Sequence, residues 1–204
     1  HEYLGKSRDS PQTASSEPQP ETEGFPGVTY MGIQLSKRMS ALASLVTEGS
    51  RLADIGTDHG YIPIALVQKG RIPSALAMDV GKGPLSRARE HIHSQELDTY
   101  IETRLSDGLT ELHEGEADTV LIAGMGGMLM KRILEGGGHC LSSVGELILQ
   151  PQSEIHLVRK FLAEHGYQIT DEDIVLEDGK YYPMMRNQPH DVQMPFQMRL
   201  DRFD

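Results

Sequence analysis

Leu52-Ala53-Asp54-Ile55-Gly56-Thr57-Asp58-His59-Gly60-Tyr61-Ile62-Pro63 decides how the rest of the chain is read. An apolar run stops at Asp54. A turn of small and acidic residues follows, and then a helix-like run from Tyr61 to Lys69. That is a strand, a tight turn and a helix N-terminus. In an open α/β sheet, ligands gather at the carboxyl ends of the strands. This turn combines backbone N–H groups and glycines with two carboxylates, Asp54 and Asp58. It suits a ligand carrying positive charge better than a bare pyrophosphate. S-adenosylmethionine, with an ammonium and a sulfonium group, has that chemistry.

Outward from this stretch, strand and helix patterns alternate. Leu35, Met39, Leu42 and Leu45/Val46 recur at helical steps from Gln34, with Gly49 expected to end that helix. Arg51 to Ile55 reads as the first strand, and Tyr61 to Lys69 as a helix with Pro63 in its first turn and Gly70 at its C-cap. Ser74 to Val80 reads as the second strand, and Pro84 opens a helix whose inner face is Leu85, Ala88 and Ile92. Ile101–Leu105, Thr119–Ala123 and Glu146–Gln150 read as further strands. Helices are expected after Gly127, ending at Glu135, and from Ser153 to His165, the latter burying Ile155, Val158, Phe161 and Leu162. Tyr167–Leu176 and Lys180–Met185 form a closing hairpin across Glu177-Asp178-Gly179. Strict alternation predicts an α/β fold with a mostly parallel sheet and helices on both faces.

Composition bounds the rest. The 204 residues fit one domain with tails, and a net charge of −11 requires any nucleic-acid role to rest on a local basic patch. The single cysteine, Cys140, rules out an intramolecular disulfide and fits a reducing cytoplasm. No apolar run approaches the roughly 20 residues that span a bilayer, so no membrane role is expected. Residues 1–32, rich in Pro, Ser, Thr, Gln and Glu, read as a disordered or non-native extension. Periodicity is lost after Arg186, so 187–204 reads as a short irregular tail, leaving 33–186 as the folded domain.

Four strand ends carry polar or glycine-rich turns: 54–60, 79–83, 106–108 and 124–127. Asp and Gly make turns anyway, but four in order along one sheet edge favour a shared ligand cleft. Asp79, at the end of the second strand, suits two ribose hydroxyls; it reads alternatively as a cap in front of Pro84. Asp107 and Gly108 suit an adenine edge, or a simple turn. The histidines give no metal site, since His91 and His93 lie two apart on a helix. A G-x-S-x-G elbow is absent, which argues against a hydrolase. A nicotinamide dehydrogenase requires G-x-G-x-x-G, and the acids of this turn disfavour two phosphates.

The strings Leu35-Ser36-Lys37-Arg38, Ala53 to Pro63, Gly83-Pro84-Leu85, Asp107-Gly108-Leu109, Ile122 to Gly127, Leu149-Gln150-Pro151-Gln152 and Leu176 to Tyr182 resemble class I S-adenosylmethionine-dependent methyltransferases. More narrowly, they resemble the bacterial tRNA (adenine-22 N1)-methyltransferase family, the TrmK type. The resemblance implies a Rossmann-like sheet of seven strands, parallel except for one strand of the C-terminal hairpin. It implies S-adenosylmethionine as cofactor, held by Asp54, Gly56, Thr57, His59, Asp79, Asp107, Gly108 and Gly124. It implies methyl transfer to adenine N1 in the D-arm of tRNA, in the cytoplasm. Asp58 and Tyr61 are the catalytic candidates: Asp58 faces the adenine or else caps the following helix, and Tyr61 stacks on the base or else belongs to the core. Lys37, Arg38, Gly126 and Gln152 are the substrate-binding candidates. Ala123-Gly124-Met125-Gly126 stands where exocyclic-amine methyltransferases resemble N/D-P-P-[YFW], which favours a ring nitrogen as acceptor. Family members continue into a helical C-terminal domain that 187–204 does not resemble, and a cofactor-binding module or a methyltransferase for a small molecule or protein are the alternatives.

Overall fold

A computed structural model of the chain describes residues 33–190. The expected extension 1–32 and the tail from 191 lie outside the described residues. Strand β1, Leu52–Ile55, is buried at all four positions. It pairs in parallel with β2 (Ala75–Asp79) on one side and β4 (Thr119–Gly126) on the other. A strand with neighbours on both edges and helices on both faces must be apolar on both faces. β1 meets that demand everywhere except Asp54.

The remaining strands are β3 (Ile101–Leu105), β5 (Glu146–Ser153), β6 (Tyr167–Glu177) and β7 (Lys180–Pro189). Their order is β3-β2-β1-β4-β5-β7-β6, and β7 alone runs antiparallel to its neighbours. This is the seven-stranded Rossmann-like sheet that the resemblance implies. The chain moves outward from β1 to β3 and then returns to β4. The crevice at the carboxyl ends of β1 and β4 is therefore the topological switch point, where ligands bind in such sheets.

Helices α1 (Lys37–Leu45), α2 (Tyr61–Gln68) and α3 (Lys82–Ser94) send Leu42, Ile64, Leu66 and Ile92 into the core on one face. Helices α4 (Gly127–Gly136) and α5 (Ile155–Glu164) send Met130, Leu134, Val158 and Phe161 into the core on the other. β1 serves both, with Leu52 on the first side and Ala53 and Ile55 on the second. Phe161 is fully buried; its truncation to alanine carries a cost of about 3–5 kcal/mol. Among the described residues no helix is long and apolar enough to cross a membrane.

Several boundaries differ from the sequence expectation. α1 starts at Lys37 because Ser36 caps it, its Oγ accepting from Met39 N at 3.3 Å, and it stops at Leu45, short of Gly49. α3 starts at Lys82, so Pro84 lies inside its first turn. β4 and β5 continue past Ala123 and Gln150 as an irregular pair, with register shifts at Met125. The expected end at Arg186 is corrected: β7 runs through Asn187-Gln188 to Pro189, opposite Tyr167. Asn187 is fully buried and its Nδ2 donates to Leu147 O at 3.1 Å and Met185 O at 3.2 Å. A polar run read as a tail is thus strand, with the Asn187 amide nitrogen bonded inside the sheet.

Candidate active site

A cleft of about 250 Å³ opens at the switch point. Arg38, Asp54, Gly56, Thr57, Asp58, Tyr61, Gly124 and Gln152 all line it. A larger hollow, about 600 Å³, lies at the opposite sheet edge against Arg51, Ser74, Tyr100, Glu102 and Glu116. Size misleads here. The larger hollow sits at the amino ends of the strands, and Arg51 beside it is held by Asp118 at 2.7 Å. The smaller one holds the residues with ligand chemistry.

β1 delivers Asp54 to the cleft floor, buried. Burial raises its carboxyl pKa to about 6; Thr57 alongside opposes the rise, and the negative charge of Asp79 adds to it. An acid held this way gains most from a cation placed against it. The next residues are fixed by backbone: Gly56 N and Thr57 N both donate to Met78 O of β2, at 2.8 and 3.0 Å. These two amides are therefore spent on the sheet, although the turn's N–H groups read as ligand donors in the sequence. Gly56 has φ +77°, and a Cβ there would lie 2.2 Å from Met125 Cε. The glycine makes room for Met125 rather than for a ligand directly.

The turn then tightens. His59 (φ +65°) and Gly60 (φ +69°) are consecutive left-handed residues that swing the chain into α2. Gly60 is the N-cap and no side chain caps the helix. Asp58 is therefore not a helix cap. Its Oδ1 accepts from Arg87 Nη2 of α3 at 2.9 Å and lies 3.4 Å from His59 Nε2. Tyr61 is half-buried and its ring stacks with His59 at 5.0 Å and His91 at 5.3 Å between centroids.

The far wall is built around Gln150, fully buried, whose Oε1 accepts from Gly124 N at 3.1 Å and Arg38 Nη1 at 3.3 Å. The Arg38 guanidinium also lies 5.0 Å over the Tyr182 ring, beside Glu177. Glu177 holds the start of α1, accepting from Arg38 N at 3.2 Å and Ser36 Oγ at 3.3 Å. Arg38 thus points into the cleft, whereas Lys37 is exposed outside it.

Some expected residues lie off the cleft lining. Gly126 is the N-cap of α4, turned toward Ser153. His59 lies behind Tyr61 in the ring cluster. Asp79 ends β2 with Oδ1 accepting from Gly81 N at 2.6 Å, and Ser106 N donates to Asp79 O, joining the ends of β2 and β3. Asp107 is exposed beyond this junction, and Gly108 is packed under Ile133 of α4. Sequence reasoning missed Gln150, whose signal was an amide closing an apolar run. It also missed Val80, 68% exposed directly after Asp79: an apolar residue following a strand-end acid.

Sheet order, switch-point cleft and acidic strand ends define the class: a Rossmann-like fold of the class I methyltransferase type. The profile of the methyltransferase domain family matches residues 35–185. The chain belongs to this methyltransferase family. It is 38% identical over 153 residues to the tRNA (adenine(22)-N(1))-methyltransferase of Bacillus subtilis, a match covering 75% of this chain and 64% of that protein. Less than two thirds of that relative's length is therefore represented. Streptococcus pneumoniae Sp1610, solved in complex with S-adenosyl-L-methionine, superposes with a TM-score of 0.75 at 40% identity, covering 79% of this chain and 76% of that one. M. capricolum TrmK, solved with S-adenosyl-homocysteine (given there as its natural cofactor product), superposes with a TM-score of 0.69 at 31% identity, covering 76% and 68%.

Proposed function

We propose that this chain binds S-adenosylmethionine in the switch-point cleft and transfers its methyl group to N1 of an adenine in the D-arm of tRNA, in the cytoplasm, with residues 33 to 189 as the catalytic domain. The carrying observation is Asp54: a buried carboxylate raised to about 6 on the cleft floor, with Asp58 and Tyr61 one turn further along the same wall. The methionine ammonium of the cofactor fits that acid. Asp79 fits the ribose hydroxyls through the carboxylate oxygen not used by Gly81, Val80 offers an apolar face beside it, and Asp107 and Gly108 fit the adenine. The relatives named above support cofactor and substrate alike.

The cofactor supplies a sulfonium-bound methyl group to an in-line displacement, in which the lone pair of adenine N1 forms the new bond and the C–S electron pair returns to sulfur. No proton moves, so alignment carries much of the rate. The residues that align are Tyr61, presenting a ring at the mouth, and Asp58, a carboxylate toward the amino group and the cationic product. Gly124 and Gln152 border the base, with Gln150 fixing Gly124 through its amide. Lys37, exposed at the start of α1, is placed for an RNA phosphate, and Arg38 acts inside the cleft.

The test is incubation with labelled cofactor and unmodified tRNA, followed by mapping of the label. Label on N1 of an adenine in the D-arm is expected. Label on another base or on protein, or cofactor binding with no transfer beside an active relative, contradicts the substrate assignment.

A further inference from the structure

Two side chains of α3, Arg87 and His91, reach across to the turn that carries Asp58 and Tyr61. They are four residues apart, so they lie on one face of the helix, one above the other. Arg87 Nη2 donates to Asp58 Oδ1 at 2.9 Å. His91 Nδ1 lies 3.0 Å from the His59 carbonyl oxygen. A carbonyl only accepts, so His91 carries its proton on Nδ1. Its ring also stacks on His59 at 5.2 Å and on Tyr61 at 5.3 Å, with interplanar angles of 18° and 11°.

The turn needs this support. His59 sits at φ +65°, a region that a residue with a side chain seldom occupies, and Gly60 follows at φ +69°. No side chain caps α2 at this end. Within the turn, Asp58 Oδ1 is also 3.4 Å from His59 Nε2, and the His59 ring stacks on Tyr61 at 5.0 Å; the polar contacts that reach the turn from outside come from α3. Remove the α3 side chains and the turn loses its donors from outside.

We infer that Arg87 and His91 are positioning residues: they set Asp58 and the Tyr61 ring for the acceptor without lining the cleft themselves. The inference rests on the methyl-transfer reading for its kinetic consequence, but its structural consequence stands apart from it.

The test uses the full chain with His91→Ala, Arg87→Ala and His91→Asn, the last keeping a donor where Nδ1 was. Three readouts are taken: S-adenosylmethionine affinity by calorimetry, transfer to tRNA as kcat and KM, and backbone order parameters of Asp58 to Gly60 by NMR relaxation in the ligand-free protein. The alanine variants are expected to lower kcat about tenfold, the scale of one misaligned contact, with cofactor affinity within about twofold and order parameters at 58–60 falling from about 0.85 toward about 0.6. His91→Asn is expected to recover most of both changes. Unchanged order parameters at 58–60 in both alanine variants overturn the inference. So does a loss of cofactor affinity as large as the loss of kcat, or an Asn variant no better than Ala. If the unsubstituted chain transfers no methyl group to tRNA, the functional reading fails, and the order parameters alone decide the positioning claim.

Discussion

The two halves of the β1–α2 turn, Asp54–Thr57 and Asp58–Tyr61, are adjacent in sequence and are held by different means. The first half is fixed by backbone. Gly56 N and Thr57 N bond to Met78 O, Asp54 and Thr57 are buried, and Met125 fills the space over Gly56. The second half is fixed by side chains arriving from α3, with Asp58 exposed and His59 in a left-handed conformation. A backbone-built pocket is part of the sheet, and changing it disturbs the fold. A side-chain-built wall is removable one contact at a time. The comparison teaches that the half of the turn proposed for the cofactor is inseparable from folding, whereas the half proposed for the acceptor is adjustable on a fixed scaffold.

The change expected to break the first half most is Gly56→Val. The residue sits at φ +77°, which a β-branched side chain rarely adopts, and the added Cβ also displaces the terminal methyl of Met125. Denaturant unfolding should show a loss of about 2–4 kcal/mol, with cofactor binding abolished by calorimetry. An Asp79→Ala substitution acts more gently, removing the proposed ribose contacts together with the bond from Gly81 N. It is expected to weaken cofactor binding by about 1–3 kcal/mol; unchanged binding removes Asp79 from the cofactor's contacts.

Asp54 makes the comparison pH-dependent. Its carboxyl is raised in the folded protein to about 6, above its ordinary 3.8. The folded state therefore binds this proton more tightly than the unfolded chain. The group's contribution to stability is present below about pH 4 and is lost as pH rises through about 6. A bound ammonium reverses the preference, so cofactor affinity should fall about tenfold from pH 7 to pH 5. Calorimetry at both values checks this, and Asp54→Asn should flatten the profile. The smallest effect belongs to the outer rim: Lys37→Ala should reduce the salt dependence of tRNA binding by about one phosphate contact, measured by titration at two ionic strengths.

The sheet and the first half of the turn were legible in the sequence because their signals are local. Leu52–Ile55, Ile101–Leu105 and the turn acids at 54, 79 and 107 announce strand and strand end by pattern alone. The hairpin was less legible. Asn187-Gln188-Pro189 has the composition of a tail, and only its partners across the sheet, Leu147 and Tyr167, show it to be strand. The second half of the turn was legible in its residues but not in its support. Nothing in the pattern of α3 says that Arg87 and His91 reach back about thirty residues to Asp58 and His59. Arg38 shows the same limit. Beside Lys37 it reads as a surface cation, and only the position of Gln150 and Tyr182 turns it into the cleft.

The division of the turn is tested most directly on Asp58→Ala, with cofactor affinity and methyl transfer measured on one preparation. Asp58 is exposed and caps no helix, so the variant should fold. Cofactor affinity within about twofold of the original chain, with transfer to tRNA slowed about a hundredfold or more, is the result predicted. Cofactor affinity lost in proportion to transfer would place Asp58 with Asp54 and contradict the division.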